Sequence, residues 1–145
     1  DESLRTSNPQ IVAVGDIANA FHPLLKRRIR VEHWANARRQ PPIAARTMLD
    51  QPSVFDRMPY FFSDQYTLGM EYSGFVAPGE YDEVVVRGDV DALEFIAFWV
   101  RQGRVLAGMN VNVWDVNPDI DRLVVSGRQF DQKQLANTDI AVSEL

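Results

Sequence analysis

The stretch FIAFWVRQGRVLAGMNVNV, residues 95–113, leaves the chain the fewest options. Apolar residues recur with the two-residue period of a strand on both sides of Gln102-Gly103, and a two-residue loop ending in glycine supplies the positive φ of a tight hairpin. The pattern predicts strands over 93–101 and 104–113 with Val100 opposite Val105. Along the second strand, Val105, Ala107, Met109, Val111 and Val113 would form an apolar face, and Arg104, Leu106, Gly108, Asn110 and Asn112 a mixed one. A hairpin with an apolar face needs further strands and a covering layer.

Both are legible. Further strands are expected over 60–66, 68–76 and 83–87. In NPDIDRLVVSG, Asn117 can cap a helix, Pro118 can open it, Ile120, Leu123 and Val124 share a face, and Gly127 can end it. A second short helix is expected near 131–137, with the last residues frayed. The fold class is therefore α+β: an antiparallel sheet of about five strands with one or two C-terminal helices.

Ahead of this sheet the periodicity is different. Ile11 to Val14 run into Gly15-Asp16 as a buried parallel strand delivering a carboxylate to a cleft would. Residues 17–28 suggest an irregular loop. Residues 30–50 have helical spacing, with Trp34, Ala37, Pro41, Ala44 or Ala45, and Met48 on one face, and the Pro41-Pro42 pair predicts a kink or break at Gln40, with Pro41 or Pro42 restarting the helix. The stretch DQPSVFDRMP, residues 50–59, separates the two patterns, so domains are expected over 1–55 and 56–145.

Composition narrows the chemistry. The chain contains no cysteine, which excludes disulfides, cysteine-held iron–sulfur clusters and thiol redox steps from this stretch. His22 and His33 lack carboxylates at ligand spacing, so no metal site is expected. There is no run of 18 apolar residues and no basic-apolar leader, giving the expectation of a cytoplasmic protein without a membrane partner. Residues 1–50 hold eight Lys or Arg against five Asp or Glu, whereas residues 51–145 hold seven against fifteen. Lys26, Arg27, Arg28, Arg30, Arg38, Arg39 and Arg46 are interrupted only by Glu32, a pattern that fits either a solvated face or a dock for an acidic protein or a phosphate-bearing ligand. Nucleic acid is not expected, since the net charge is −5 and no exposed aromatics interleave these bases.

TSNPQIVAVGDIA, then RVEHWANARRQ, then MPYFFSDQY resemble, in order and spacing, the end of the FAD domain and the start of the C-terminal domain in the FAD-dependent NAD(P)H:ferredoxin reductases. These reductases feed Rieske oxygenases and cytochromes P450. GFVAPGEYDEVVVRGD, FIAFWVRQGRVLAGMNVNVWD and LVVSGRQFD extend the resemblance over essentially the whole chain. It implies that the first 55 residues are the terminal strand and helix of an FAD-binding α/β domain. Asp16 is then the flavin aspartate, accepting from a ribityl hydroxyl, and Gly15 allows close backbone approach. Glu32, His33 and Trp34 match the start of the helix beneath the isoalloxazine, whose positive end would face the charge that reduction places there. Phe62 matches an aromatic at the flavin edge that is Trp in many relatives, so stacking is kept without an indole donor.

The resemblance further implies FAD as cofactor, NAD(P)H as electron donor, and a [2Fe–2S] ferredoxin or rubredoxin as partner. Lys26, Arg27, Arg28, Arg38 and Arg39 are the expected docking residues. No GxGxxG loop is present, so the chain resembles about the last third of a reductase and is expected neither to hold FAD stably nor to turn over alone. Residues 1 to about 50 are expected to rearrange, pack poorly or pair with another copy as a homo-oligomer, because the strands flanking 11–14 would lie outside the chain. The competing readings are a non-catalytic interaction or dimerisation domain, and a flavoprotein whose acceptor is a quinone, rubredoxin or oxygen.

Overall fold

Around Gly15 the backbone departs from what hydrophobic patterning alone would give. The computed structural model describes all 145 residues. Residues 11–14 do not form a buried parallel strand: Val12 makes one antiparallel bridge to Arg5, and Ile11 is exposed. A strand needs a neighbour along its length, and here the bonds are from Ala13 N–H to Leu4 O at 3.0 Å, from Thr6 N–H to Ile11 O at 2.9 Å and from Ile11 N–H to Asn8 O at 3.0 Å. A 3₁₀ turn, Gly15–Ile17, follows. The stretch read as irregular contains a hairpin, β1 (Ala20–His22) with β2 (Arg27–Ile29), in which Phe21 pairs with Arg28. Its turn is closed by the buried His22 ring, whose Nδ1 accepts from Leu25 N–H at 3.3 Å while Nε2 lies 3.0 Å from the Arg57 carbonyl.

Helix α1 spans Trp34–Met48 and runs on through Gln40, so of the expected kink or break the break does not occur. Pro41 and Pro42 remove the donors for the Ala37 and Arg38 carbonyls, but all four residues lie on the exposed side, where water can take those bonds. The expected apolar face is the outer one: Trp34 is 58% and Met48 68% exposed. The buried stripe is Ala35, Asn36, Gln40, Ala44 and Thr47, and its polar members are matched. Asn36 donates to Val31 O at 3.0 Å, Gln40 Oε1 accepts from Gly15 N–H at 2.7 Å, and Thr47 Oγ1 donates to Ser3 O at 2.6 Å. Leu4, Ala44 and Phe55 form a small core with Val12, Val14, Ala20 and Ile43 packed on it. These elements belong to one compact unit, Asp1–Pro59; the second is Tyr60–Leu145.

In the second unit, β3 (Tyr60–Gln65), β4 (Leu68–Gly74), β5 (Glu83–Asp89), β6 (Glu94–Arg101) and β7 (Arg104–Val111) form one antiparallel sheet of order β3-β4-β7-β6-β5. Val100 pairs with Val105, and Gln102 and Gly103 take φ of 50° and 76°, as the hairpin pattern requires. A bulge beside Trp99/Val100 divides the expected apolar face of β7. Val105 shares the face of Phe98 and Gly108, whereas Ala107, Met109 and Val111 pair with Trp99, Ala97 and Phe95 on the other.

Helix α2 (Asn117–Ser126) covers the Phe98 face, with Ile120 and Leu123 buried in a core that includes Val85, Ile96, Phe98, Val100 and Val105. Asn117 is the first helical residue and Val116 the cap, one position from expectation, while Gly127 ends the helix at φ 58°. A Cβ on Gly108 would lie 2.5 Å from Ile120 Cγ2, so glycine is what lets α2 sit this close. Helix α3 (Gln132–Ala136) is capped by Asp131, which accepts from Lys133 N–H at 2.7 Å. The C-terminal residues do not fray: Val142 and Leu145 are buried, and Arg87, Arg122 and Arg128 donate to the carbonyls of Ile140, of Val142 and Ser143, and of Leu145. On the opposite sheet face Tyr72 stacks on Phe61 at 4.7 Å and meets Trp99 edge-on at 5.5 Å. No helix is long and apolar enough to cross a membrane.

Candidate functional site

A glycine with φ of 73° at the end of an extended stretch turns the chain so that the next side chain points away from the core. That glycine is Gly15, and the next residue, Asp16, is exposed with no hydrogen bond or ion pair on its carboxylate. Gly15 rests on α1: a Cβ built on it would meet Ala37 Cβ at 3.6 Å, and its N–H is held by Gln40. Asp16 is therefore presented beside the first turns of a fifteen-residue helix. Adjoining it, Ile17, Ala18, Asn19, Arg28, Arg5 and Thr6 line an open cavity of about 440 Å³.

The helix start is built from the other expected residues. His33 is the N-cap; its Nδ1 accepts from Ala35 N–H at 3.2 Å and its carbonyl accepts from Asn36 N–H at 3.0 Å. Trp34 lies exposed at the first turn with the Arg38 guanidinium 4.7 Å from its ring centroid. Glu32 is exposed and paired with Arg30 at 2.5 Å. Gly15 thus packs on the first two turns of α1 through Ala37 and Gln40, while His33 and Trp34 form the helix start, which carries the positive pole of the helix.

The basic residues divide between two elements. Lys26, Arg27 and Arg28 lie on the β1–β2 hairpin, where Lys26 takes φ of 55° and Arg28 donates to Asn19 O at 3.1 Å. Arg38 and Arg39 lie on the exposed side of α1. Phe62 belongs to β3, in the second unit, and is 40% exposed. The packing roles of Gln40, Asn36 and His22 are not read from the sequence pattern, which marks Gln40 only as an interruption of the helix and His22 only as a residue without metal-ligand neighbours. Their one available signal was the i, i+4 spacing of Asn36 and Gln40 on a helix whose other faces are apolar or cationic.

The second unit, an antiparallel sheet with two helices on one face, is the part of the chain that defines its class. The "Reductase C-terminal" family model matches residues 60–145, and the chain belongs to that family. It is 36% identical over 146 residues to the 5,5'-dehydrodivanillate O-demethylase ferredoxin reductase subunit of Sphingobium sp. strain SYK-6, covering 100% of this chain and 35% of that protein. It is 32% identical over 143 residues to the anthranilate 1,2-dioxygenase system ferredoxin–NAD(+) reductase component of Burkholderia cepacia, covering 98% and 35%. The reductase of the covalent putidaredoxin reductase–putidaredoxin complex superposes with a TM-score of 0.87 at 29% identity, over 99% of this chain and 34% of that one. The chain thus spans about a third of the length of these relatives.

Proposed function

We propose that this chain is the C-terminal part of an FAD-dependent NAD(P)H:ferredoxin reductase serving an oxygenase or P450, and that Asp16 binds the flavin. The observation that supports this most directly is the unengaged Asp16 carboxylate, which follows Gly15 at φ 73° where that glycine is held against the first two turns of α1 by Ala37 and by the bond to Gln40. The donor set fits the cofactor: a free carboxylate suits a ribityl hydroxyl, and the helix N-terminus suits a ring that becomes anionic on reduction. FAD, when bound, takes up hydride and releases electrons singly. The chain's own residues bind and orient. Asp16 anchors the ribityl chain, Gly15 keeps the backbone close, the α1 start with Glu32, His33 and Trp34 supports the ring, and Phe62 is assigned to the flavin edge.

The second assignment concerns the partner. Lys26, Arg27, Arg28, Arg38 and Arg39 form the docking surface for an acidic [2Fe–2S] ferredoxin or rubredoxin, the charge class that basic side chains attract and steer. The isolated chain is assigned no turnover, because the glycine loops that hold both nucleotides' pyrophosphates are not in it.

Asp16→Ala in the full-length protein tests the reading. Loss of a charge-assisted hydrogen bond should raise the dissociation constant for FAD at least about tenfold, near 1.4 kcal/mol. Equilibrium dialysis with flavin absorbance measures it. An unchanged constant counts against Asp16 as a flavin ligand.

A further inference from the structure

An edge strand is bonded on one side only, so its side chains must hold what its backbone does not. β3 is such a strand, at one end of the order β3-β4-β7-β6-β5, and it carries Phe62. Directly opposite Phe62 in the register stands Glu71 of β4, and Tyr60 lies diagonally across on the same face. The Tyr60 hydroxyl donates to Glu71 Oε1 at 2.7 Å, and Asn110 Nδ2 of β7 donates to Glu71 Oε2 at 3.0 Å. One carboxylate therefore ties three adjacent strands. The Tyr60 and Phe62 rings are 6.4 Å apart and inclined by 41°.

Asn110 shows what this position requires. It is fully buried, and its Nδ2 also donates to Val113 O at 2.8 Å, while its Oδ1 is buried with no partner. Turning the amide over would set Oδ1 against a carboxylate and a carbonyl, so the orphaned acceptor accompanies two satisfied donors. A half-buried Glu in mid-strand is otherwise costly, with poor strand propensity and a charge partly removed from water. Two donors converging on it offset that cost and fix it in one rotamer.

We propose that Glu71 is a positioning residue for Phe62: by clamping Tyr60 of the edge strand to Asn110 of the sheet centre, it sets where the β3 aromatics stand. Its functional consequence rests on the reading of Phe62 as the flavin-edge aromatic. The clamp itself rests on the sheet alone.

The test uses the full-length FAD-loaded protein with Glu71→Ala, Glu71→Gln and Tyr60→Phe, read by hydrogen exchange and by the visible circular dichroism of the bound flavin. Glu71→Ala is expected to speed exchange of the β3 amides about tenfold relative to β6, and Tyr60→Phe to do so in part. Glu71→Gln, which keeps an acceptor for Tyr60, is expected to fall back toward wild type. The flavin dichroism should change with Glu71→Ala and recover with Glu71→Gln. Unchanged β3 exchange in both Glu71→Ala and Tyr60→Phe overturns the clamp. Faster β3 exchange with unaltered dichroism, in a protein whose Phe62→Ala variant does alter it, overturns the positioning role. A Phe62→Ala variant with wild-type dichroism instead removes Phe62 from the flavin edge, and the exchange result still decides the clamp.

Discussion

Tyr72 shows how one side chain can report the integrity of a sheet face. Its ring lies between Phe61 and Trp99, and burial pushes its hydroxyl up to about 12 from 10.0, with a backbone hydrogen bond from Val76 pulling slightly the other way. The unfolded chain ionises this group near its ordinary value, while the folded protein keeps it protonated. Tyr72 therefore favours folding below pH 10, and that contribution is lost as the pH rises from about 10 to about 12. Denaturant midpoints measured across this window should fall, and Tyr72→Phe should flatten the fall; equal slopes in both proteins would refute the assignment. At this scale the sequence was most informative where chemistry is local. The Gly15-Asp16 pair marks a turn, and the chain does turn there, at φ 73° with Asp16 exposed, although the apolar run before it forms no strand. Glu71 and Asn110 carry no such signal, since their importance depends on facing each other across β4 and β7.

Helix α1 was legible in extent but not in orientation. Its apolar residues mark the outer face, because the inner one is built from amides and a hydroxyl that each meet a specific backbone group. Periodicity of apolar residues cannot find such a stripe. β7 failed differently: one extra residue at the bulge inverts the faces, and alternation read through it assigns Val105 to the wrong side. The strand positions and the Gln102-Gly103 turn survived because a tight hairpin fixes its own register. Gln40→Ala tests the polar stripe. It strands the buried Gly15 N–H and should lower stability by about 1–3 kcal/mol, whereas Gln40→Glu, which keeps an acceptor, should cost less. Urea unfolding followed by Trp fluorescence measures both; equal loss in the two variants would mean that the helix packs here by shape rather than through this bond.

Charge is distributed by unit. Residues 1–59 contain nine Lys or Arg and six Asp or Glu, while residues 60–145 contain six and fourteen. A partner steered by the basic hairpin must be acidic, and its attraction must weaken with salt, since the screening length falls from about 10 Å at 0.1 M to about 3 Å at 1 M. Arg27→Glu with Arg28→Glu in the full-length protein should lower the rate of reduction of putidaredoxin, used as an acidic [2Fe–2S] probe, by about tenfold or more at low salt. The deficit should shrink at high salt, and reduction of ferricyanide should be spared. Arg28 also donates to Asn19 O, so Arg28→Gln, which keeps a donor without the charge, separates lost steering from a disturbed hairpin. Equal loss toward both acceptors would show that these arginines support the flavin side of the protein. Loss toward putidaredoxin alone, with a deficit that shrinks as salt rises, would locate the dock on the hairpin and exclude the reading in which this part of the chain serves only to pack or dimerise.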